Sequence, residues 1–428
     1  MAPILDMIMG TESHPNQGAR LLTKLLAEFR RNLCGKFLVF LLLFSFPLLG
    51  QGSSSEQNGT KEKVSNSAIE EDQTSTVDHS KHKNGRDSSH DHSVEVPAGI
   101  TGAHYHPPGK IMVEYRYMLM NMSGLYNGSS KLDPFLVLNT SQYSGNLSST
   151  STSTTLHNHA GSANSASGSY RYDMVPTKMN MEMHMAMIMG SFSENLSYMV
   201  MVPFVRNSME MLNSGNYQKS YMSAQGVGDI QVQTSYKILK GETHTLALNF
   251  GLTLPTGSIN EKDFMMQGQP KSTVSYGMQP GTGTFNPVPG VTYTGRIDRF
   301  FWGAQALAMV HYGANQNGYR FGDKYEGSVW SGYKLTDWFA LLVRVNMQKW
   351  ENLIRRDPSL PITMTPQNDP DKQGGRRTIV YIGSNLKLPF LGSDIRANLE
   401  FGAPVYQHLN GPQVGLQSVV NFSLQITL

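Results

Sequence analysis

Residues His244 to Leu254 read H-T-L-A-L-N-F-G-L-T-L, and this stretch decides the fold. His244, Leu246, Leu248, Phe250, Leu252 and Leu254 fall on one side of an extended chain, and Thr245, Ala247, Asn249, Gly251 and Thr253 on the other. Such period-two alternation marks a strand with one apolar and one polar face. The pattern recurs on both sides. Ile230, Val232, Tyr236 and Ile238 alternate with Gln231, Gln233, Ser235 and Lys237. Ile395, Ala397, Leu399 and Phe401 alternate with Arg396, Asn398 and Glu400, and a last run ends at Leu428. A sandwich of two sheets gives the same faces, so alternation alone does not choose between architectures.

Loop lengths do choose. Strands are predicted at 110–122, 178–190, 196–206, 227–239, 243–254, 289–297, 300–313, 324–334, 337–348, 376–388, 394–402 and 416–428. The connections 123–177, 207–226, 255–288, 314–323, 349–375 and 403–415 are long, and those between them are tight. Long and short connections in strict alternation predict an all-β fold: an antiparallel transmembrane β-barrel of about 12 strands. The long loops are then extracellular, and the short turns and both termini of the barrel chain periplasmic. Phe300 and Trp302 at one end of a strand, and Tyr312 at the other, fit two membrane interfaces.

Composition agrees. The 428 residues include Gly 41, Met 25, Tyr 19 and Phe 18, with 16% charged and a net charge of +3. No Lys/Arg stripe accompanies that charge, which argues against nucleic acid as a partner. The single cysteine, Cys34, excludes a disulfide framework. Arg30, Arg31 and Lys36 precede the uncharged run Phe37 to Leu49, a signal-peptide pattern too short for a spanning helix. An N-terminal anchor helix is the alternative. The expected organisation is a leader and signal peptide over 1–52, a disordered His/Ser-rich periplasmic region over 53–108, and the barrel over 109–428. Within the middle region His90 and His92, and His104 and His106, have the spacing of weak metal ligands.

The polar faces define an expected lumen. It takes Glu114 and Arg116 from the first strand and Glu182 and His184 from the second. Asp229, Gln231, Lys237 and Asn249 follow, then Gln305 and His311, Arg344 and Asn346, and Arg396 and Glu400. Mutually paired polar side chains that hydrate or block the pore are one interpretation, and a path for polar or amphipathic solutes is the other. No G-x-S-x-G elbow, Walker loop or H-E-x-x-H occurs, so no enzyme is expected.

Methionine is the unusual residue. Sixteen of the 25 lie between Met112 and Met222, and Met179 to Met189 occupy every second position. The expected register turns this methionine face to lipid and Glu182 and His184 inward, because a carboxylate facing hydrocarbon is costly. Met118, Met120, Met199 and Met201 on the neighbouring strands then flank His184. Thioether and imidazole suit Cu(I) or Ag(I), as cargo with no resident cofactor. A flexible apolar wall is the simpler interpretation.

The segments M-V-P-T-K-M-N-M-E-M-H-M (174–185), G-V-G-D-I-Q-V-Q-T-S-Y-K (226–237), L-N-F-G-L-T-L-P-T-G-S-I (248–259), G-Y-R-F-G-D-K-Y-E (318–326) and N-D-P-D-K-Q-G-G-R-R (368–377) resemble a bacterial family. It is the outer-membrane phenol meta-pathway (degradation) transporter family. The resemblance runs from about residue 97 to 428. It implies an outer-membrane barrel that passes small molecules, and supplies no binding residues. The expected function is therefore a channel in the outer membrane of a Gram-negative-type bacterium, for small molecules, with hydrophobic or aromatic compounds among the candidates. A Met/His-rich barrel handling copper or silver is the first alternative. A surface adhesin built on the Ser/Asn-rich loop with His157 and His159 is the second. Expected partners are outer-membrane lipid and lipopolysaccharide, the barrel-assembly machinery, and the small-molecule or metal solute.

Overall fold

The structure is a computed structural model that describes residues 96–105, 108–143, 169–241, 243–264, 270–388 and 394–428. The strands of its main sheet that build the wall are numbered here in chain order. They are β1 (Ile111–Gly128), β2 (Met174–Ser191), β3 (Leu196–Asn213), β4 (Lys219–Val227), β5 (Ile230–Lys240) and β6 (His244–Leu254). Then come β7 (Asn286–Ile297), β8 (Phe300–Met309), β9 (Lys324–Lys334), β10 (Phe339–Trp350), β11 (Gly375–Leu388) and β12 (Asp394–Thr427). Neighbours pair antiparallel in chain order, and β12 pairs back onto β1, so the sheet closes on itself. Closure is what lipid demands, because an unpaired strand edge has no water to bond there.

Two places depart from one strand per crossing. β3 pairs with β5 through Leu196–Met201 and with β4 through Phe204–Leu212, so β4 and β5 form one crossing interrupted at Gly228 and Asp229. β12 pairs with β11 through residues 395–409 and with β1 through residues 409–427. Its two halves are bonded to each other: Asn398 Nδ2 donates to Ser423 Oγ at 3.0 Å, and the Leu416 N–H donates to Gln407 Oε1 at 3.0 Å. β12 is thus a hairpin of two crossings, and the wall has twelve crossings in all. At the closing seam Leu428 N–H donates to the Ile111 carbonyl at 2.8 Å.

Five connections lie at the Ile111 end and are tight. The turn between β7 and β8 is only Asp298 and Arg299, and Asp298 adopts the positive φ of 49° that such hairpins favour. The opposite end carries the long loops, as expected of the extracellular side. The expected loops 207–226 and 403–415 are corrected here: both stretches are largely strand, with β3 continuing to Asn213 and β12 unbroken. Met209 and Met211 keep the inward alternation, while the alternate residues Ser208 and Glu210 are polar. Their outer face breaks the apolar pattern because this part of the wall has no lipid beside it.

The burial pattern is inverted relative to a soluble protein. Ile188, Val200, Phe204, Leu248, Phe250, Val343 and Phe401 are exposed on the outside, while Glu400, Asn346, Arg344 and Asn398 are buried inside. An apolar side chain of this size gains roughly 1.5–3 kcal/mol on leaving water, so such a belt belongs in hydrocarbon. Among the described residues no helix is long and apolar enough to cross a membrane; this barrel crosses with strands.

The expected leader and signal peptide, and His90 and His92, lie outside the described residues, as does His106. The region expected to be disordered to residue 108 is corrected at its end. Val96, Ala98, Ile100, Ala103, His104 and Tyr105 are buried. This short stretch has enough apolar surface to pack once a wall surrounds it.

Candidate functional site in the barrel lumen

The segment 96–105 lies across the barrel interior, held by side chains from well-separated strands. Asn385 of β11 donates to the Val96 carbonyl at 3.2 Å, and Gly99 N–H donates to Glu400 of β12 at 2.7 Å. Arg116 of β1 donates to the Ile100 carbonyl at 3.0 Å, and Gln305 of β8 to the Thr101 carbonyl at 2.8 Å. Ser235 of β5 donates to the Gly102 carbonyl at 3.1 Å. Only the interior of a closed wall presents five such strands to one short chain. Val96, Ile100 and Ala103 also pack with Phe301, Trp330, Ala340 and Leu342. Gly102 has φ +71°, and a Cβ there would fall on the Gln233 amide. Gly99 packs so close to Arg344 that a Cβ would meet its guanidinium. The segment fits only because both positions lack a side chain.

Around it stands a wall of polar groups. Arg344 binds Glu400 with two bonds, Nε to Oε1 at 2.8 Å and Nη2 to Oε2 at 2.9 Å. Arg116 pairs with Glu114 at 2.8 Å, and Gln425 donates to the other Glu114 oxygen at 3.2 Å. Asn249 donates to Thr292 at 2.6 Å, and Asn346 to Ser328 at 2.8 Å. Buried charges are tolerated when paired and hydrogen-bonded in this way. Lys237 lies with its ammonium 4.6 Å from the centre of the Tyr105 ring, and Gln231 donates to Gln233. Arg396 is buried on the same face as Asn398 and Glu400.

Apart from the Glu114–Arg116 pair, the inner face of β1 to β3 is largely thioether. Met112, Met185, Met187, Met189 and Met199 form one buried cluster, with Met118, Met183 and Met201 against it. Met120 packs with Ile379, Tyr381, Leu416 and Val419. A third cluster holds Met174, Met179, Met209, Met211, Met222 and Met278. Tyr381 is where the two walls meet, because its ring also lies 3.9 Å from the guanidinium carbon of Arg344.

Several expected lumen residues are placed elsewhere. The register of β2 is opposite to the expected one: the methionines face inward, and Glu182 and His184 face outward. His184 Nδ1 and the Tyr115 hydroxyl are 2.8 Å apart on the outer face, and the Tyr117 ring lies 5.1 Å from that of His184. Glu182 stands opposite Arg206 in the β2–β3 register, beyond Ala186 and Ile188 toward the extracellular end. Only the polar Asn180 and Lys178 follow it on the exposed outer face, so Glu182 stands where the apolar belt ends, which removes the cost on which the expected register rested. His184 is no partner of the inward methionines. Asp229 is not a wall residue either. It sits at the break between β4 and β5 and accepts from Gly257 N–H at 3.0 Å and Thr282 N–H at 2.9 Å, tying two segments of one loop. His311 lies beyond the end of β8, buried beside Phe321, and its backbone N–H donates to Asp323 Oδ1 at 3.0 Å. Of the expected metal set, Met118, Met120, Met199 and Met201 do face inward, and His104 is buried within the lumen segment.

Sequence reasoning missed Tyr381, Trp330 and the segment 96–105. The signal for the last was the density of Val96, Ala98 and Ile100 after a stretch nearly free of apolar residues.

The extracellular loops pack over this end of the lumen. Tyr276, Tyr319, Leu353 and Leu360 form a cluster, and the Tyr276 hydroxyl accepts from Asp357 N–H at 2.9 Å. Lys372 donates to the Tyr172 hydroxyl at 2.7 Å and lies 3.0 Å from Asp369. Burial opposes the charge on Lys372, yet Tyr172 and Asp369 hold its pKa above the usual lysine range. Burial of His311 lowers its pKa to about 4, with Asp323 opposing the shift and Arg320 and Lys324 adding to it.

A closed antiparallel wall of twelve crossings, apolar outside and polar inside, with a chain segment in its lumen, defines an outer-membrane barrel. Residues 188–349 match the family model described as "Putative MetA-pathway of phenol degradation", the family the sequence motifs resemble. An outer membrane channel from Pseudomonas putida F1 is similar in fold, with a TM-score of 0.50 at 12% identity, over 77% of this chain and 99% of that one. The NanC porin aligns at TM-score 0.34 and 9% identity, over 58% of this chain and 94% of its own. The toluene transporter TodX of Pseudomonas putida aligns at TM-score 0.32 and 10% identity, over 75% and 90%. No curated protein sequence matches the chain. The membrane is thus the outer membrane of Gram-negative bacteria, as the sequence led us to expect.

Proposed function

We propose that the protein is an outer-membrane channel for small molecules that combine an apolar body with a polar edge, aromatic compounds among them. One observation carries this reading: the interior has two chemically different walls that meet at Tyr381. Thioethers on β1, β2 and β3 offer a polarizable apolar surface that suits aromatic rings. The amides and paired charges of β5 to β12 offer hydrogen bonds to a hydroxyl or carboxylate. A sugar uses only the second wall and an alkane only the first. The family match, whose description concerns phenol degradation, supports an aromatic solute. The segment 96–105 narrows the lumen, so the path favours small solutes.

The test is uptake into proteoliposomes holding the full chain, with benzenesulfonate compared with a sugar of similar size. A sulfonate stays ionised at any working pH and has no neutral form to cross bare lipid, which keeps the background low. Benzenesulfonate entry well above protein-free vesicles, and above the sugar, is expected. Equal entry of both solutes, or none, contradicts the proposal.

A further inference from the structure

All sixteen methionines between Met112 and Met222 enter the three buried clusters of the thioether wall. The clusters are joined. Met118 touches both the periplasmic and the middle cluster, and Met122 and Met181 touch both the middle and the extracellular one. Strand register sets the sulfurs side by side. Met112 is opposite Met189, which is opposite Met199 on β3, and Met187 is opposite Met201. Higher in the wall Met118 faces Met183, Met120 faces Met181, and Met122, Met179, Met209 and Met222 stand in one row across four strands. Directly opposed residues have Cβ atoms about 4.5–5.5 Å apart, within reach of two flexible thioethers sharing one ion.

Two methionines outside this stretch of sequence join from distant loops. Met278 is fully buried in the extracellular cluster, its carbonyl held by Asn207 Nδ2 at 3.0 Å. Met364 packs against the same cluster from the loop before β11. Strand alternation does not explain these two, because loops of different origin bring the same functional group to the same place.

We propose that this wall is a series of binding sites for a soft monovalent metal ion, Cu(I) or Ag(I), running from the extracellular cap to the periplasmic end. It goes beyond the organic-solute reading, although an ion moving along it relies on the same lumen. Thioether sulfur is a soft donor that favours Cu(I) and Ag(I), whereas Na⁺, Mg²⁺ and Ca²⁺ require oxygen ligands. The carboxylate nearest in register, Glu114 opposite Met187, is occupied by Arg116 and Gln425. Selection here is by softness. A row of similar, neutral sites also lets an ion leave one for the next, as conduction requires. His184 takes no part, because it faces outward to Tyr115.

The test uses Ag(I), which does not change oxidation state, and the purified full chain in detergent, carrying Cys34→Ser in every sample so that no thiol competes for the ion. Binding is measured by equilibrium dialysis, and the first shell by X-ray absorption at the silver edge. The parent should bind Ag(I) with sulfur alone as nearest neighbour. The combined variant Met187→Leu, Met189→Leu and Met199→Leu keeps bulk and apolarity, and should lose at least 10-fold in affinity at the periplasmic sites. His184→Ala should bind as the parent does. An oxygen or nitrogen shell, no binding by the parent, or unchanged binding by the leucine variant overturns the proposal. The shell measurement needs no variant, so it decides even if the leucine variant does not assemble. Benzenesulfonate entry is read on vesicles of the same preparation. Entry without Ag(I) binding overturns the metal sites alone, and Ag(I) binding without entry overturns the organic channel alone.

Discussion

Arg344 and Glu400 are joined by two parallel bonds of 2.8 and 2.9 Å inside the barrel, and the same Glu400 accepts Gly99 N–H from the lumen segment at 2.7 Å. One carboxylate thus neutralises a wall charge and anchors the chain that narrows the path. Losing one partner of a buried pair costs about 3–5 kcal/mol, because the other charge is left in a dry site. Glu400→Gln should therefore free the segment and lower the denaturant midpoint of the barrel. Chymotrypsin cleavage after Tyr105, an aromatic site within the segment, and urea unfolding in detergent check it. An unchanged cleavage pattern and midpoint would show that the pair holds nothing.

Gly102→Val tests the segment while every wall residue stays as it is. A side chain there collides with Gln233, and the backbone sits at φ +71°. A β-branched residue in that conformation costs on the order of 1–3 kcal/mol before the clash is counted. The barrel itself should still form, seen as the gel shift between heated and unheated samples, while sugar entry into vesicles rises several-fold. A variant as tight as the parent would mean that the segment does not limit passage.

Much of this was legible in the sequence. The strands around His244–Leu254 and Lys324–Lys334 lie within a residue of their expected limits, because one face meets lipid and the other polar groups along their length. The extracellular halves of β3 and β12 were not legible, since the outer face beyond the lipid loses its apolar signature. The inward positions of Glu114, Asn249, Arg344 and Glu400 followed from alternation. The register of Met179–Met189 did not, because it turned on the depth of Glu182 in the membrane. That depth is set by the pairing of β2 with β1 and β3. Tyr381 as the meeting point of two walls required the closed barrel.

The outward position of His184 has its own consequence. Its ring bonds the Tyr115 hydroxyl on the lipid-facing surface. His184→Ala should leave benzenesulfonate entry within 2-fold of the parent and cost about 1 kcal/mol or less in stability, the scale of one exposed hydrogen bond. A loss of entry of 10-fold or more would return His184 to the lumen.

His311 makes the extracellular side sensitive to acid. Burial lowers its pKa to about 4, against about 6.5 in an unfolded chain. A depressed folded value means that the unfolded form takes the proton first as pH falls. The buried neutral ring therefore contributes its full stability above about pH 6.5 and loses it progressively down to about pH 4. The loss is at most about 3 kcal/mol at 1.36 kcal/mol per pKa unit. Protease cleavage within residues 310–323 should rise between pH 7.5 and 4.5, and His311→Gln should flatten that rise. Equal cleavage of the parent at both pH values would contradict it.

The channel claim is tested most directly by current through a single barrel in a planar bilayer. The account predicts a small steady conductance that added benzoate interrupts in a concentration-dependent way, as the ring rests on the thioether wall and the carboxylate on the polar one. An equal concentration of a sugar of similar size should leave the trace unchanged. A barrel that never conducts, or one that benzoate and the sugar affect alike, would contradict it.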